Sequence, residues 1–156
     1  MIASILIIII IGLKFFLPVL LIWFPFLAGW ANFLLDTIDG DILIPLGLDD
    51  YDYQTIDKLA DYVTYIFMLI AGWKWQIHKE IKITFALRTI GQVLFFLTRD
   101  EMMFFYFPNL LEPLFLIYAT LLLVKKDKAY KIYRKYIFPI WLFILVYKFQ
   151  DEWITH

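Results

Sequence analysis

The sequence contains no cysteine, which excludes disulfides, thiolate nucleophiles and cysteine-ligated metals. An excess of charge of one sign is also missing, because 14 basic and 15 acidic residues give a net charge of −1. Without a basic excess the chain lacks the electrostatic footprint of a nucleic-acid-binding protein, and we expect no nucleic-acid partner. The first segment, Met1–Leu17, lacks both the basic start and the small-residue cleavage site of a signal peptide. We therefore interpret it as a membrane helix.

Apolar residues are abundant instead. The chain of 156 residues is 63% hydrophobic and 21% aromatic, with a mean hydropathy of +0.75. Soluble domains contain roughly 45–50% apolar residues, and a soluble domain of this length has too small a core to bury so many. The composition predicts a polytopic, all-α integral membrane protein that forms a single transmembrane domain over residues 1–156.

Six apolar segments approach the roughly 20 residues that a helix needs to cross a bilayer. They are Ile2–Leu17, Val19–Asp39, Tyr53–Gly72, Ile81–Thr98, Leu110–Val124 and Tyr136–Tyr147. We predict six transmembrane helices, with a break at Pro18 between the first two. A continuous helix over Ile2–Trp30 would give five spans instead.

The basic residues are concentrated in alternate loops. With six spans, the loops after the first, third and fifth segments lie on one side of the membrane. That side holds Lys14, Lys74, Lys79, Lys82, Lys125, Lys126, Lys128, Lys131, Arg134 and Lys135. The positive-inside rule places this side in the cytoplasm and the aspartates on the non-cytoplasmic side. We expect the membrane to be the plasma (inner) membrane of a prokaryote. A single span before Asp36 would reverse this orientation.

Four aspartates border the second and third segments. Asp36 and Asp39 are three residues apart near a helix end, and Asp57 and Asp61 are four apart near the next helix start. Each pair lies on one helical face, and a short loop makes the two helices antiparallel neighbours. Four unpaired carboxylates at a membrane edge would repel each other and lose hydration. A hard divalent cation removes both costs, so the pattern predicts a metal site.

Other aspartates nearby have a simpler interpretation. Asp49, Asp50 and Asp52 are typical of a solvated loop at a helix end, and Asp41 fits either interpretation.

The aspartate spacing resembles the signature of the CDP-alcohol phosphatidyltransferase superfamily, D-x2-D-G-x2-A-R-x8-G-x3-D-x3-D. Asp36, Asp39, Gly40, Asp57 and Asp61 fit this register without a gap. The resemblance implies a Mg²⁺ or Mn²⁺ site, with two metals held by the aspartates. It also implies that Asp61 is the base that deprotonates an acceptor alcohol. A lipid substrate and a homodimer are further expectations from the resemblance.

The chain departs from this signature where the family binds its nucleotide. Leu43 and Ile44 replace the Ala-Arg pair, and Tyr53 replaces the second glycine. Isoleucine cannot bind phosphate as arginine does, and a tyrosine blocks close approach. We therefore expect a metal-dependent phospho-alcohol transferase of phospholipid metabolism whose donor need not be CDP-linked. The alternative is a catalytically inactive relative that binds metal or lipid or handles cations.

Polar residues elsewhere in the apolar segments are further candidates. Arg88 and Arg99 share a helical face, and either could bind a lipid phosphate or form a structural ion pair. Asn32, one turn before Asp36, could line the substrate pocket together with Gly40. Its spacing to Asp36 is also similar to that in prenyltransferases of the UbiA type, which are about twice as long.

Glu112 begins the fifth segment. It is either an extra ligand or a residue that favours a helix N-terminus.

Overall fold

The computed structural model describes residues 2–155. Helices make up 86% of these residues and no strand occurs among them, which confirms the all-α prediction. The α-helices are α1 (Ile2–Phe16), α2 (Pro25–Leu43), α3 (Asp50–Gly72), α4 (His78–Thr98), α5 (Met102–Tyr106), α6 (Leu111–Lys125), α7 (Ala129–Lys135) and α8 (Ile137–Thr155). Each of the six apolar segments overlaps one of the longer helices.

The first helix continues past Pro18 as a 3₁₀ helix over Leu17–Ile22. Proline is tolerated there because it lies in the first turn, where its missing N–H is not needed. The chain leaves helical geometry only at Phe24 (φ −129°, ψ 62°), and α2 begins at Pro25. The predicted break at Pro18 is therefore wrong in position, and the alternative continuous helix over Ile2–Trp30 does not form.

Within residues 2–155, two stretches are long and apolar enough to cross a membrane, by length and composition. They are Ile2–Ile22, with a mean hydropathy of 3.0, and His78–Thr98, with 1.4. The helices α2 and α3 are also long, but α2 contains three aspartates and α3 begins with several charged residues. The charged residues of the predicted site thus lower the hydropathy of α2 and α3, the two helices that contain them.

The chain divides into two compact units, Met1–Met68 and Leu69–His156. The N-terminal unit contains α1, α2 and most of α3. In the C-terminal unit α4 packs against α5 and α6, and α8 packs against α5 and α7. An aromatic contact supports the packing of α8 on α5, since the ring centroids of Phe105 and Phe149 are 5.8 Å apart.

A glycine allows close approach within the C-terminal unit. A Cβ atom on Gly91 of α4 would lie 2.6 Å from the Cβ of Phe107 and 3.2 Å from its carbonyl oxygen. Replacing Gly91 by alanine should therefore lower the free energy of unfolding by about 1–3 kcal/mol, as overpacking does. A Cβ atom on Gly12 of α1 would have no atom within 4 Å apart from its chain neighbours and the nearby backbone of its own helix. Gly12→Ala should instead be neutral or stabilising by up to about 1 kcal/mol.

Thermal melting of the two purified variants in detergent checks this pair. Equal melting temperatures would contradict the close packing of α4 on Phe107.

Candidate functional site

The site is built where α2 ends and α3 begins. Asp36 and Asp39 lie near the end of α2, and Asp57 lies one to two turns into α3. The connection between the two helices reverses at Gly47, whose φ of 101° favours glycine. Both helices therefore bring their aspartates to the same place, as the spacing predicts.

Three carboxylates converge there: those of Asp36, Asp39 and Asp57, which we call the carboxylate triad. Each residue offers one oxygen, and these three oxygens lie within 4.8 Å of one another. Asp39 is fully buried and Asp57 is 6% exposed, whereas the Asp36 side chain is 40% exposed. The triad is thus a mostly buried concentration of negative charge that is open to one side through Asp36.

A lysine from α1 lies within the triad. The Nζ atom of Lys14 is 3.1 Å from Oδ1 of Asp36, and it also donates to Oδ2 of Asp39 and Oδ1 of Asp57. Lys14 is only 5% exposed. The prediction that Lys14 lies on the opposite side of the membrane from the aspartates is therefore wrong. The physical reason is the later turn at Phe24, which places Lys14 alongside α2 rather than at the end of a span.

A second lysine neutralises the other side of the cluster. Lys58 Nζ lies 2.8 Å from Oδ2 of Asp57 and 3.7 Å from Oδ2 of Asp61. The Asp61 side chain is 11% exposed. Asp61 is not part of the triad, but it shares Lys58 with Asp57 and so belongs to the same charge network.

Tyr53 covers the glycine of the motif. Its hydroxyl donates to Oδ1 of Asp39 at 3.0 Å. A Cβ atom on Gly40 would lie 2.8 Å from that hydroxyl oxygen. The tyrosine ring thus lies in the space above Gly40 and is held there by a triad residue. Leu43 is 1% exposed and Ile44 is 43% exposed, and neither side chain can donate a hydrogen bond to a phosphate.

The other candidate polar residues of the N-terminal unit lie outside the carboxylate triad. Asn32 is 7% exposed, and its Nδ2 donates to the carbonyl oxygen of Ala28 at 2.7 Å. Asp41 is exposed. The expected solvated aspartates are also exposed, at the beginning of α3. They are Asp49, Asp50 and Asp52.

The two candidate arginines belong to the C-terminal unit. Arg88 is 4% exposed, its Nη1 donates to the carbonyl oxygen of Phe107 at 3.3 Å, and its guanidinium lies 4.2 Å from the ring centroid of Phe104. Arg99 is exposed and ends α4 in a left-handed conformation with φ 57°. Arg88 is therefore held by its own unit, and Arg99 lies at a helix end.

Glu112 is part of a helix cap in the C-terminal unit. Asn109 Oδ1 accepts the Glu112 backbone N–H at 3.2 Å, and Glu112 Oε2 accepts from Asn109 Nδ2 at 3.2 Å. These reciprocal bonds resemble a capping box at the start of α6. Of the two interpretations of Glu112, the helix N-terminus is the one that these contacts support.

Sequence reasoning missed Lys14 and Lys58 as members of the cluster. A signal for Lys14 was present, because it is the only charged residue before Asp36. An ionisable residue within so apolar a stretch needs a partner of opposite charge, and the aspartates are the nearest acidic residues in the sequence. Lys58 gave no such signal. It directly follows Asp57, and side chains of adjacent residues on a helix usually point in different directions.

The fold and the site define a helical protein with a buried carboxylate cluster that internal lysines neutralise. Comparisons with protein-family models, with curated proteins and with solved structures found no match. The residues of this chain and the spacing of its aspartates are therefore what point to a function.

Proposed function

We propose that this chain is a membrane-embedded, divalent-metal-dependent phospho-alcohol transferase of phospholipid metabolism. The observation that carries the proposal is the convergence of the carboxylate triad, with one oxygen from each residue within 4.8 Å of the others. Such a set of hard oxygen donors is what Mg²⁺ and Mn²⁺ prefer. The spacing of the same residues resembles the phosphatidyltransferase signature, which links the cluster to this chemistry.

A membrane location with six spans is part of the proposal. Large apolar side chains are exposed along α1 and α8, including Ile2 at 73%, Ile8 at 69%, Phe138 at 75% and Trp153 at 75%. Exposed apolar surface of this extent favours contact with lipid chains. The exposed lysines and arginine over Lys125–Lys135 would bind anionic head groups at the cytoplasmic surface. The triad would then face the other side of the plasma (inner) membrane.

The triad residues would hold the metal, and their burial would determine how tightly. Asp39 and Asp57 are buried and would be the main ligands, while the more exposed Asp36 would face the incoming substrate. When bound, a divalent cation polarises the phosphate ester of a donor and stabilises the charge that develops during transfer.

Asp61 would accept the proton of the acceptor hydroxyl. It lies next to the triad through the shared partner Lys58, yet it is not one of the three converging carboxylates. A carboxylate in this position could remain available as a base while its neighbours hold the metal.

The donor would not be CDP-linked. Tyr53 fills the space above Gly40 and donates to Asp39, and Ile44 stands where the family signature has its arginine. A nucleotide would have to displace the tyrosine and would lack a charged phosphate partner at Ile44. A phospholipid or another lipid phosphate is the donor class that these residues favour.

A second candidate function follows from Lys14. Its ammonium already pairs with all three triad carboxylates, so the cluster could be a structural ion network in a catalytically inactive relative. Such a protein would bind lipid without converting it.

Lipid turnover by the purified full chain distinguishes the two candidates. The assay would use mixed phospholipids in detergent with Mg²⁺ or Mn²⁺, with and without CTP-derived donors. We expect conversion that chelator abolishes and that needs no CTP-derived donor. A strict requirement for a CTP-derived donor would contradict the donor assignment. Full conversion in chelator would contradict the metal requirement, and no conversion with any donor would favour the inactive relative.

A further inference from the structure

We propose that the Lys14 ammonium is a tethered cation that competes with the divalent metal for the carboxylate triad, so that metal binding requires Lys14 to leave. This inference rests on the proposed metal site. It adds a residue from α1 that the aspartate spacing does not include, and it assigns that residue the role of an internal competitor.

The geometry of the ammonium supports this role. A lysine ammonium has three N–H donors and no acceptor, and Lys14 Nζ contacts one oxygen from each of the three triad residues. These residues also form the set whose oxygens lie close enough to share one ion. The ammonium and a metal ion would therefore occupy the same space, and one must exclude the other.

The formal charge of the network limits how many metal ions it can hold. Four carboxylates, the triad and Asp61, contact two ammonium groups, Lys14 and Lys58. With all four carboxylates ionised the network keeps two negative charges, which one divalent cation would balance. Two divalent cations with both lysines in place would make a buried network positive, which is costly. Two metals would therefore balance the four carboxylates only with both lysines withdrawn.

Lys14 is the lysine that contacts all three triad residues, and it lies outside the motif helices. It belongs to α1, whereas all four aspartates and Lys58 belong to α2 and α3. Its flexible four-carbon side chain allows Nζ to move while the helix stays in place.

Metal binding by Lys14 variants tests the competition. Free Mn²⁺ would be measured by electron paramagnetic resonance during titration of the full chain in detergent. Because like charges repel strongly at about 4 Å, Lys14→Met should bind Mn²⁺ at least about tenfold more tightly than the wild type. Lys14→Arg, which keeps the charge, should bind no more tightly than the wild type. The control is Lys148→Met, which removes another buried lysine, one that bonds Asp151 at 2.8 Å and should leave the affinity unchanged.

A second measurement uses the unmodified chain, so that misfolding of a variant cannot obscure the result. Labelling of Lys14 by a small amine-reactive reagent, followed by mass spectrometry, should increase several-fold when Mn²⁺ is added. Equal Mn²⁺ affinity in the wild type and Lys14→Met, or labelling that does not change when Mn²⁺ binds, would overturn the competition and leave the metal site standing. Absence of Mn²⁺ binding in both proteins would overturn the metal site and the competition together.

Discussion

Replacing Asp57 by asparagine should lower metal-dependent lipid turnover by about 10²- to 10³-fold, the usual loss when one preorganised electrostatic group is removed. Asp57 contacts both lysines of the network, because one oxygen contacts Lys14 and the other lies 2.8 Å from Lys58. Asparagine keeps the shape but loses the charge, and a neutral amide oxygen holds a hard cation less well than a carboxylate. Turnover of a fluorescent phospholipid by the purified variant measures the loss.

Asp41→Asn is the matched control for this prediction. Asp41 lies in α2 close to Asp36 and Asp39, but it is exposed and is not a member of the triad. We expect this variant to retain wild-type turnover. Thermal melting of both variants separates a catalytic loss from unfolding. Wild-type turnover by Asp57→Asn, or an equal loss in Asp41→Asn, would contradict a catalytic role for the triad.

The helices could be predicted from the sequence because their apolar runs are long. Each apolar segment overlaps a helix of the structure. The predicted helix break at Pro18 is wrong because a proline does not always end a helix. Pro18 lies in the first turn of the 3₁₀ stretch Leu17–Ile22, and the chain turns at Phe24, directly before Pro25. A proline in the first turn of a helix needs no hydrogen-bond partner, so sequence alone did not distinguish the two positions.

The convergence of the triad could also be predicted, since helical spacing fixes which aspartates share a face. The lysine in its centre could not, because its position depends on where α1 ends relative to α2. Moving the turn from Pro18 to Phe24 moves Lys14 from the end of a span to its middle. The orientation of the Tyr53 side chain likewise depends on how α3 packs on Gly40. From the sequence it is known only that a tyrosine replaces the smaller glycine of the motif.

The triad and Lys14 together show how this chain balances part of the charge of a buried carboxylate cluster. Buried carboxylates need counter-charges, and here the chain supplies its own. The same lysine that stabilises the cluster then weakens its affinity for metal. Stability without metal and affinity for metal are thus opposed at one side chain.

Lys14→Met should therefore lower the free energy of unfolding by about 3–5 kcal/mol in chelator, the cost of removing one partner of a buried ion pair. The loss should be large because Lys14 is 5% exposed and Asp39 is fully buried. Lys58→Met should cost at most about 1 kcal/mol, because that side chain is 22% exposed and partly exposed pairs contribute little. Chemical denaturation in detergent micelles, with chelator present, compares the two variants.

Divalent metal should restore much of the stability that Lys14→Met loses. At a Mn²⁺ concentration about 100-fold above the dissociation constant, ligand linkage adds about 2.7 kcal/mol. The Lys14→Met/Asp39→Asn double variant should lose less than the two single variants added together, because each change removes the charge that the other leaves unpaired. If Lys14→Met melts like the wild type in chelator, the ammonium does not stabilise the cluster. If Mn²⁺ stabilises the wild type as much as the variant, Lys14 does not compete with the metal, because a competing lysine must make the wild type less responsive to Mn²⁺.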